Sequence, residues 1–534
     1  MTPPPAKSAE TVLPLDAVAP APSAVAGLRG RLGLLRALAL LPALAFLLVV
    51  LAPPLNHDVS AVLNFSERWL AGEGLYRDLI DVNPPLIFVL TLIPAAIAAW
   101  TPLDGPQSLL LCMLLLCAFV WRLTVRLRAG REEGPIEAAA LSAVVPLLML
   151  MAGYDFAQRE HLMAVVAIPY AMLAARRIEG PPASRGLAVT VTALAALGFA
   201  LKPHFLAVPA LVEGFLLLRR GPRRALIDPM PWLMAGIWLV YLACIPLLFP
   251  DYFGYVVPLV WQFYVDLGVF SPFDVLISPV LGPALLLMLG AAAIAFRPRE
   301  GAVLPTVLVI AAAGAFASAW VQHKGWSYHA IPIAILSSAA LAAGIARWFD
   351  GVVTPVRRPT VAPLVAAAMA ACIGVYAARG EAPWREFWFN WDRAGKLTDL
   401  LRREAYGERL LVLSPDIYPV YPALNYARAQ STLRTMNLWL LQGTNRTCPE
   451  NGERYRQTWE MSRAEFFVYR TVAEDFARAP PAAVLVSSNP GIPWCGQEFN
   501  FIDYFSRHPL FAETWQRYRL GGTIEGYRIY VRED

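Results

Sequence analysis

Charge is scarce in this chain: 16% of its 534 residues are Asp, Glu, Lys or Arg, against about a quarter in soluble domains, while 57% are hydrophobic. A soluble fold is excluded by that balance. There is no nucleotide-type GxGxxG and no GKS or GKT phosphate loop in the water-facing part of the chain, which disfavours an ATP-driven pump. No internal repeat is visible, and ionisable residues do not sit in the middle of hydrophobic runs, as they do in transporters. The formal charge of +5 is carried by arginines in loops between hydrophobic runs, where they set orientation in a membrane, so no nucleic-acid partner is expected.

What remains is an integral membrane protein. Apolar runs of about 16 to 20 residues recur from Leu34 to Tyr376, the length of repeated spanning helices. Arginines cluster beside them at Arg29–Arg36, Arg122–Arg131, Arg176–Arg185, Arg219–Arg224, Arg297 with Arg299, and Arg347–Arg358. The positive-inside rule makes these cytoplasmic. Eleven spans satisfy the alternation, at roughly 34–52, 106–126, 135–152, 161–177, 186–201, 203–218, 230–249, 275–296, 302–320, 330–347 and 361–378. A twelfth apolar stretch, Leu86 to Trp100, would invert everything after it if it crossed, and so reads as a re-entrant or interfacial helix begun by Pro84 and Pro85.

The predicted architecture is therefore an all-α polytopic membrane protein with a small C-terminal α/β domain outside the cytoplasm. Residues 1–33 form a Pro- and Ala-rich disordered cytoplasmic segment, 34–378 the membrane domain with an outer-face amphipathic loop at 53–105, and 379–534 the periplasmic domain. Leu34–Leu51 reads as an uncleaved first span of a protein of the cytoplasmic (inner) membrane. In the tail, residues 409–414 and 482–488 are strand-like, 463–479 helical, and "YRLGGTIEGYRIYVRED" a closing hairpin. Cys448 and Cys495 both fall in this oxidising-side domain and are expected to pair, whereas Cys112, Cys117, Cys244 and Cys372 lie in apolar runs.

Five of the six histidines, His57, His161, His204, His323 and His329, fall in loops assigned to the outer face, beside Asp58, Asp155, Arg159, Glu160, Lys202 and Lys324. Charges at a membrane boundary are costly unless paired or functional. After the first span, Val59, Val62, Leu63, Trp69 and Leu70 recur at helical spacing opposite Asn64, Glu67 and Arg68, which predicts an amphipathic helix lying on the membrane surface. Such a helix holds Asp58 at head-group level, where a carboxylate serves as general base or metal ligand; capping of the helix is the structural alternative. "GYDFAQREH" at 153–161 supplies a second acidic loop, alternatively ion-paired within itself. "LKPHF" sets Lys202 and His204 in a tight turn, where a cation either meets an anion such as a lipid phosphate or snorkels. "QHKGWSYH" brings Lys324 with Trp326 and Tyr328, which stack on a sugar or form an interfacial belt.

In order and sidedness these motifs resemble those of the membrane-embedded C-type glycosyltransferases, in the branch of the protein O-mannosyltransferases and the aminoarabinose transferases of lipid A. The resemblance is carried by "HD" at 57–58, by "GLYRDLIDVNPPL" at 74–86, like the family's G-x-x-Y-x-D…PPL, by the acidic second loop and by the lysine-bearing third. It covers about residues 34–345. It implies transfer of a sugar from a polyprenyl-phosphate donor to a cell-envelope acceptor, whether glycan, lipid or protein, at the outer face of the bilayer. By the same resemblance Asp58 would be the base that deprotonates the acceptor hydroxyl, and Asp155 the acid that orients the acceptor or, with Asp58, holds a divalent metal (Mg, Mn or Zn). Lys202 would neutralise the departing lipid phosphate, joined by His204, Lys324 and His329. His57, Tyr76, Arg159, Glu160, Trp326 and Tyr328 are expected around the acceptor or sugar. Val59 stands where the family often has a Glu after the Asp, so a two-carboxylate role at that spot is not expected.

Three other readings compete. An oligosaccharide ligase or polymerase using a lipid-diphosphate donor would want more outer-loop arginine than Arg68, Arg77 and Arg159 provide. A transporter or flippase, or a scaffold whose tail binds partners, would show no sugar transfer.

Overall fold

The computed structural model describes residues 22–52, 54–268, 270–297, 303–379, 386–492, 495 and 498–533. In chain order the first eight helices are α1 (Pro22–Leu51), α2 (His57–Leu70), α3 (Leu86–Trp100), α4 (Gly105–Arg128), α5 (Pro135–Leu150), α6 (Arg159–Glu179), α7 (Arg185–Phe199) and α8 (Ala207–Arg220). Helices at Pro229–Leu248, Leu281–Ala295, Val303–Gln322, Ile331–Val352 and Arg358–Ala377 complete the bundle. Each of the eleven apolar runs read as a span is thus helical. Seven helices among the described residues are long and apolar enough to cross a membrane; α5, α7 and Leu281–Ala295 are apolar but shorter. A 3-10 turn at Pro203–Leu206 extends the 14-residue α8.

The first helix corrects one expectation. It starts at Pro22, so residues 22–33 of the segment read as disordered are helical, while 1–21 lie outside the described residues, as does Arg299. Pro22 at the first helical position suits a helix start, and the Ala, Leu and Arg residues interspersed through residues 24–36 are good helix formers. At the other extreme, α6 is buried almost all round, from Met163 to Arg176, and forms the axis of the bundle.

Arginines of four of the clusters converge at one end. Arg131 lies 3.1 Å from Glu179 and 3.2 Å from Glu133, and Arg347 lies 3.7 Å from Glu137. Arg177 joins Glu213 at 2.6 Å and Asp228 at 2.9 Å, and Asp350 caps α5 by accepting from the backbone N–H groups of Ile136 and Glu137. At the opposite end, the start of α3 and the chain just after it both lie beside α2. Ser66 of α2 donates to the carbonyl of Phe88 near its start, and Gly105, five residues after Trp100, packs so tightly on α2 that a Cβ there would lie 2.1 Å from Glu67 Oε1. The chain thus leaves α2 through α3 and is back beside α2 by Gly105.

The tail is a five-stranded sheet in the order β2–β1–β3–β5–β4, built from β1 (Arg409–Leu413), β2 (Gln430–Ser431), β3 (Ala483–Ser487), β4 (Tyr518–Ile524) and β5 (Tyr527–Arg532). β1 runs parallel to β2 and β3; β5 pairs antiparallel with β3 and closes a hairpin with β4. The helix at Arg463–Arg478 packs on it, and Cys448 and Cys495 form a disulfide. This domain sits on the end of the bundle opposite the arginines. Tyr426 Oη accepts from the backbone N–H of Leu55, Asn425 donates to the carbonyl of Ser60, and Arg68 donates to that of Leu433 at 2.8 Å.

That docking corrects the reading of α2. The polar face of the helix is not left in water: Ser60, Asn64, Ser66 and Arg68 are buried with the apolar residues, and Ala61 belongs to the core of the tail. Its apolar stripe packs on α3, and its polar stripe faces the polar backbone of the C-terminal domain rather than solvent.

Candidate active site

Asn56 starts the site. Its side-chain oxygen caps α2, accepting from the backbone N–H groups of Asp58 at 2.9 Å and Val59 at 3.4 Å, so Asp58 is not the cap and its carboxylate is free for other partners. Oδ2 of Asp58 accepts from Gln158 Nε2 at 3.0 Å and lies 3.9 Å from the Arg159 guanidinium; Oδ1 lies 3.7 Å from His57 Nε2. Burial alone would raise the pKa of this carboxyl, but His57, Arg159, the Gln158 hydrogen bond and Lys202 together hold it below the usual range. Asp58 is ionised at neutral pH and able to take a proton.

The second loop delivers its residues through a strained turn. Gly153 and Ala157 both have positive φ, 54° and 69°, and for alanine that left-handed conformation costs about 1–2 kcal/mol. His161 pins the turn: Nδ1 accepts from the backbone N–H of Ala157 at 3.2 Å, and Nε2 meets the carbonyl of Met149 at 2.8 Å. The turn aims Gln158 and Arg159 at Asp58 and buries Asp155, whose Oδ1 accepts from Asn56 Nδ2 at 3.1 Å. His161 is thereby a structural residue.

Beside Asp58 lies a cationic pocket. Lys202 Nζ donates to Glu160 Oε1 at 2.6 Å, both groups being buried, and burial holds the lysine below its ordinary pKa more than Glu160 raises it. His329 Nε2 is 3.9 Å from the same oxygen, and neither ring nitrogen has a hydrogen-bond partner among the described residues. Nε2 of His204 is likewise buried without one; burial and the neighbouring Lys202 push its pKa down to about 4, so the ring is neutral. Lys324 differs from Lys202. It donates to the carbonyl of Tyr264 at 3.1 Å and lies over the rings of Tyr264 and Trp326, with no carboxylate in ion-pairing reach among the described residues.

Of the residues singled out in the sequence, Asp58, Asp155, Arg159, Glu160, Lys202, His204, Lys324, Trp326, Tyr328 and His329 come together with His57. Tyr328 closes the pocket beneath Lys202, and His57 is bonded through Nδ1 to Tyr154 Oη and met edge-on by Tyr418 of the tail. Tyr76 is not in that group: it is buried against Phe88, Phe249 and Tyr252, and its hydroxyl is given to the carbonyl of Asn83. Asn56 and Tyr264 were missed, and Gln158 and Asp81, which lie in the two outer-loop motifs, were given no role in the site. Asp81 is buried near Asp58 and Arg159 and accepts from Asn83 at 2.6 and 2.8 Å; burial pushes its carboxyl above the usual range. Its sequence signal was the Asp-x-Asn turn before the proline pair.

The donor set does not fit a divalent metal at Asp58 and Asp155. Amide N–H groups and a guanidinium already face their oxygens, and no group of three or more His, Cys, Asp or Glu side chains among the described residues is placed to hold one. No step is routed through a metal here.

No protein-family model matches the chain, and no curated protein matches it by sequence. Among solved structures it is similar to ArnT from Cupriavidus metallidurans bound to undecaprenyl phosphate, with a TM-score of 0.57 and 13% identity over 94% of this chain and 98% of that one. At that identity the likeness establishes the fold alone: an ArnT-like fold, mostly helical with several long apolar helices and a small C-terminal sheet domain, which is the kind of fold the sequence motifs implied.

Proposed function

We propose that this protein is a lipid-linked sugar transferase that takes its sugar from a polyprenyl phosphate at the outer face of the cytoplasmic membrane. The observation that carries the reading is the convergence of an ionised Asp58 with a buried lysine and histidine pocket at the tail-covered end of the bundle. The ligand of the structural neighbour, undecaprenyl phosphate, supports a donor of that class.

In the reaction the acceptor oxygen forms a bond to the anomeric carbon while the bond from that carbon to the phosphate oxygen breaks. The acceptor proton passes to Asp58, and the polyprenyl phosphate leaves with the electron pair. The anion released is met by Lys324, whose charge has no carboxylate partner, with His204 and His329 as neutral donors. Lys202 holds Glu160 and adds positive potential from behind. His57, Arg159, Trp326 and Tyr328 would contact the sugar or the acceptor.

The test is to incubate the purified protein with labelled polyprenyl-phosphate sugars and an envelope extract. Label is expected to move to a component of the extract. Transfer of a whole oligosaccharide from a lipid diphosphate, or no transfer from any polyprenyl-phosphate sugar, would contradict the reading.

A further inference from the structure

The two carboxylate oxygens of Asp58 have different surroundings: Oδ2 accepts from Gln158, whereas Oδ1 has no hydrogen-bond donor among the described residues, His57 Nε2 lying 3.7 Å from it and beyond hydrogen-bond distance. What places Gln158 there is a chain of oriented amides. Asp155 Oδ1 accepts from Asn56 Nδ2, which fixes which way the Asn56 amide points. Its oxygen then receives three donors, the backbone N–H groups of Asp58 and Val59 and Gln158 Nε2 at 2.8 Å; a flipped amide would set N–H against N–H at all three. Gln158 Nε2 has two hydrogens and two acceptors, Asn56 Oδ1 and Asp58 Oδ2. Asn56, Asp155 and Gln158 are each 1% exposed, so solvent does not compete for these bonds.

We infer that Gln158, oriented by Asn56 and Asp155, is a positioning residue for Asp58: it occupies Oδ2, keeps the carboxylate ionised and leaves Oδ1 as the oxygen that receives the acceptor proton. The inference deepens the proposed function and rests on its assignment of Asp58 as the base. It also gives Asp155 a task other than metal binding. The other charged or titratable groups facing Asp58 are His57 on its own helix, Arg159 from α6, Lys202 from the α7–α8 turn, Asp81 from the loop after α2, and the Tyr264 and Tyr328 hydroxyls. None is altered by substitution at position 158.

The experiment is an infrared titration of the Asp58 carboxyl in the purified full-length protein, its band identified by its loss in Asp58→Asn. Gln158→Met removes the donor and is expected to raise the midpoint by about one to two pH units. The near-isosteric Gln158→Glu sets carboxylate against carboxylate and is expected to raise it at least as far. The acid limb of turnover should move with the midpoint while donor KM stays constant. A midpoint unmoved in both variants, or an activity loss equal at every pH, would overturn the inference. The titration uses no substrate, so an unmoved midpoint counts against Gln158 alone, whereas absence of sugar transfer by the wild type counts against the proposed reaction.

Discussion

At the scale of single residues, Lys202 and Lys324 look interchangeable in sequence, and the structure separates them. Lys202 is paired with buried Glu160, and removing one partner of such a pair costs about 3–5 kcal/mol, because the other charge is left uncompensated. Lys202→Ala should therefore lower the melting temperature of the purified protein markedly, and a melting curve checks it. Lys324→Ala should leave that curve nearly unchanged and weaken donor binding. Burial and the charges of Lys202 and Arg446 bring the pKa of Lys324 down to about 8, against Asp266, so its charge is full below that pH and lost above it. Binding of a polyprenyl-phosphate sugar, followed against pH, should weaken as pH rises through about 8 and lose that dependence in Lys324→Arg. Asp58 was legible because "HD" opens an amphipathic run beside a first span. Asn56 and Gln158 were not, since an amide carries no charge signal and the partners lie about a hundred positions apart in the chain.

At the scale of elements, hydrophobic spacing was enough to find the long helices of the bundle, the tail helix at Arg463–Arg478, two strands of the tail sheet and its closing hairpin, but not the other helices of the tail. Both α2 and α3 were visible too, as helices. What spacing does not contain is the partner of a polar stripe. α2 reads as a surface helix because its cover comes from residues some 365 positions later, and that cover is made of backbone carbonyls as much as side chains. Arg68 shows the consequence. It is fully buried, forked onto Glu73 and donating to Leu433. Arg68→Ala should cost about 2–3 kcal/mol, the value of hydrogen bonds to a charged group, and loosen the contact between α2 and the tail. Hydrogen exchange at β2 and α2 would show faster opening in both; protection unchanged in either would mean the contact does not tie them.

At the scale of the whole molecule, the C-terminal domain closes the end of the bundle that holds Asp58. The chain thus places its site between a membrane domain and a roof. The roof is itself clipped by Cys448–Cys495, which encloses a 47-residue separation; loss of such a cross-link typically costs about 2–4 kcal/mol. Cys448→Ser with Cys495→Ser should lower the first unfolding transition and leave helical content of the bundle intact, as circular dichroism during heating would report. The apolar helical runs, and the gathering of arginines at the end away from the tail, were readable from hydropathy and charge patterning, whereas the roofing of the candidate site was not, because nothing in a tail sequence says which surface it will cover. The account's central claim is that Asp58 at this roofed end takes the acceptor proton during sugar transfer. The most direct measurement compares wild type and Asp58→Asn, equally folded, for transfer of labelled sugar from its polyprenyl phosphate. The account predicts a loss of about a hundred- to ten-thousand-fold with donor binding retained; turnover of Asp58→Asn at the wild-type rate would contradict it.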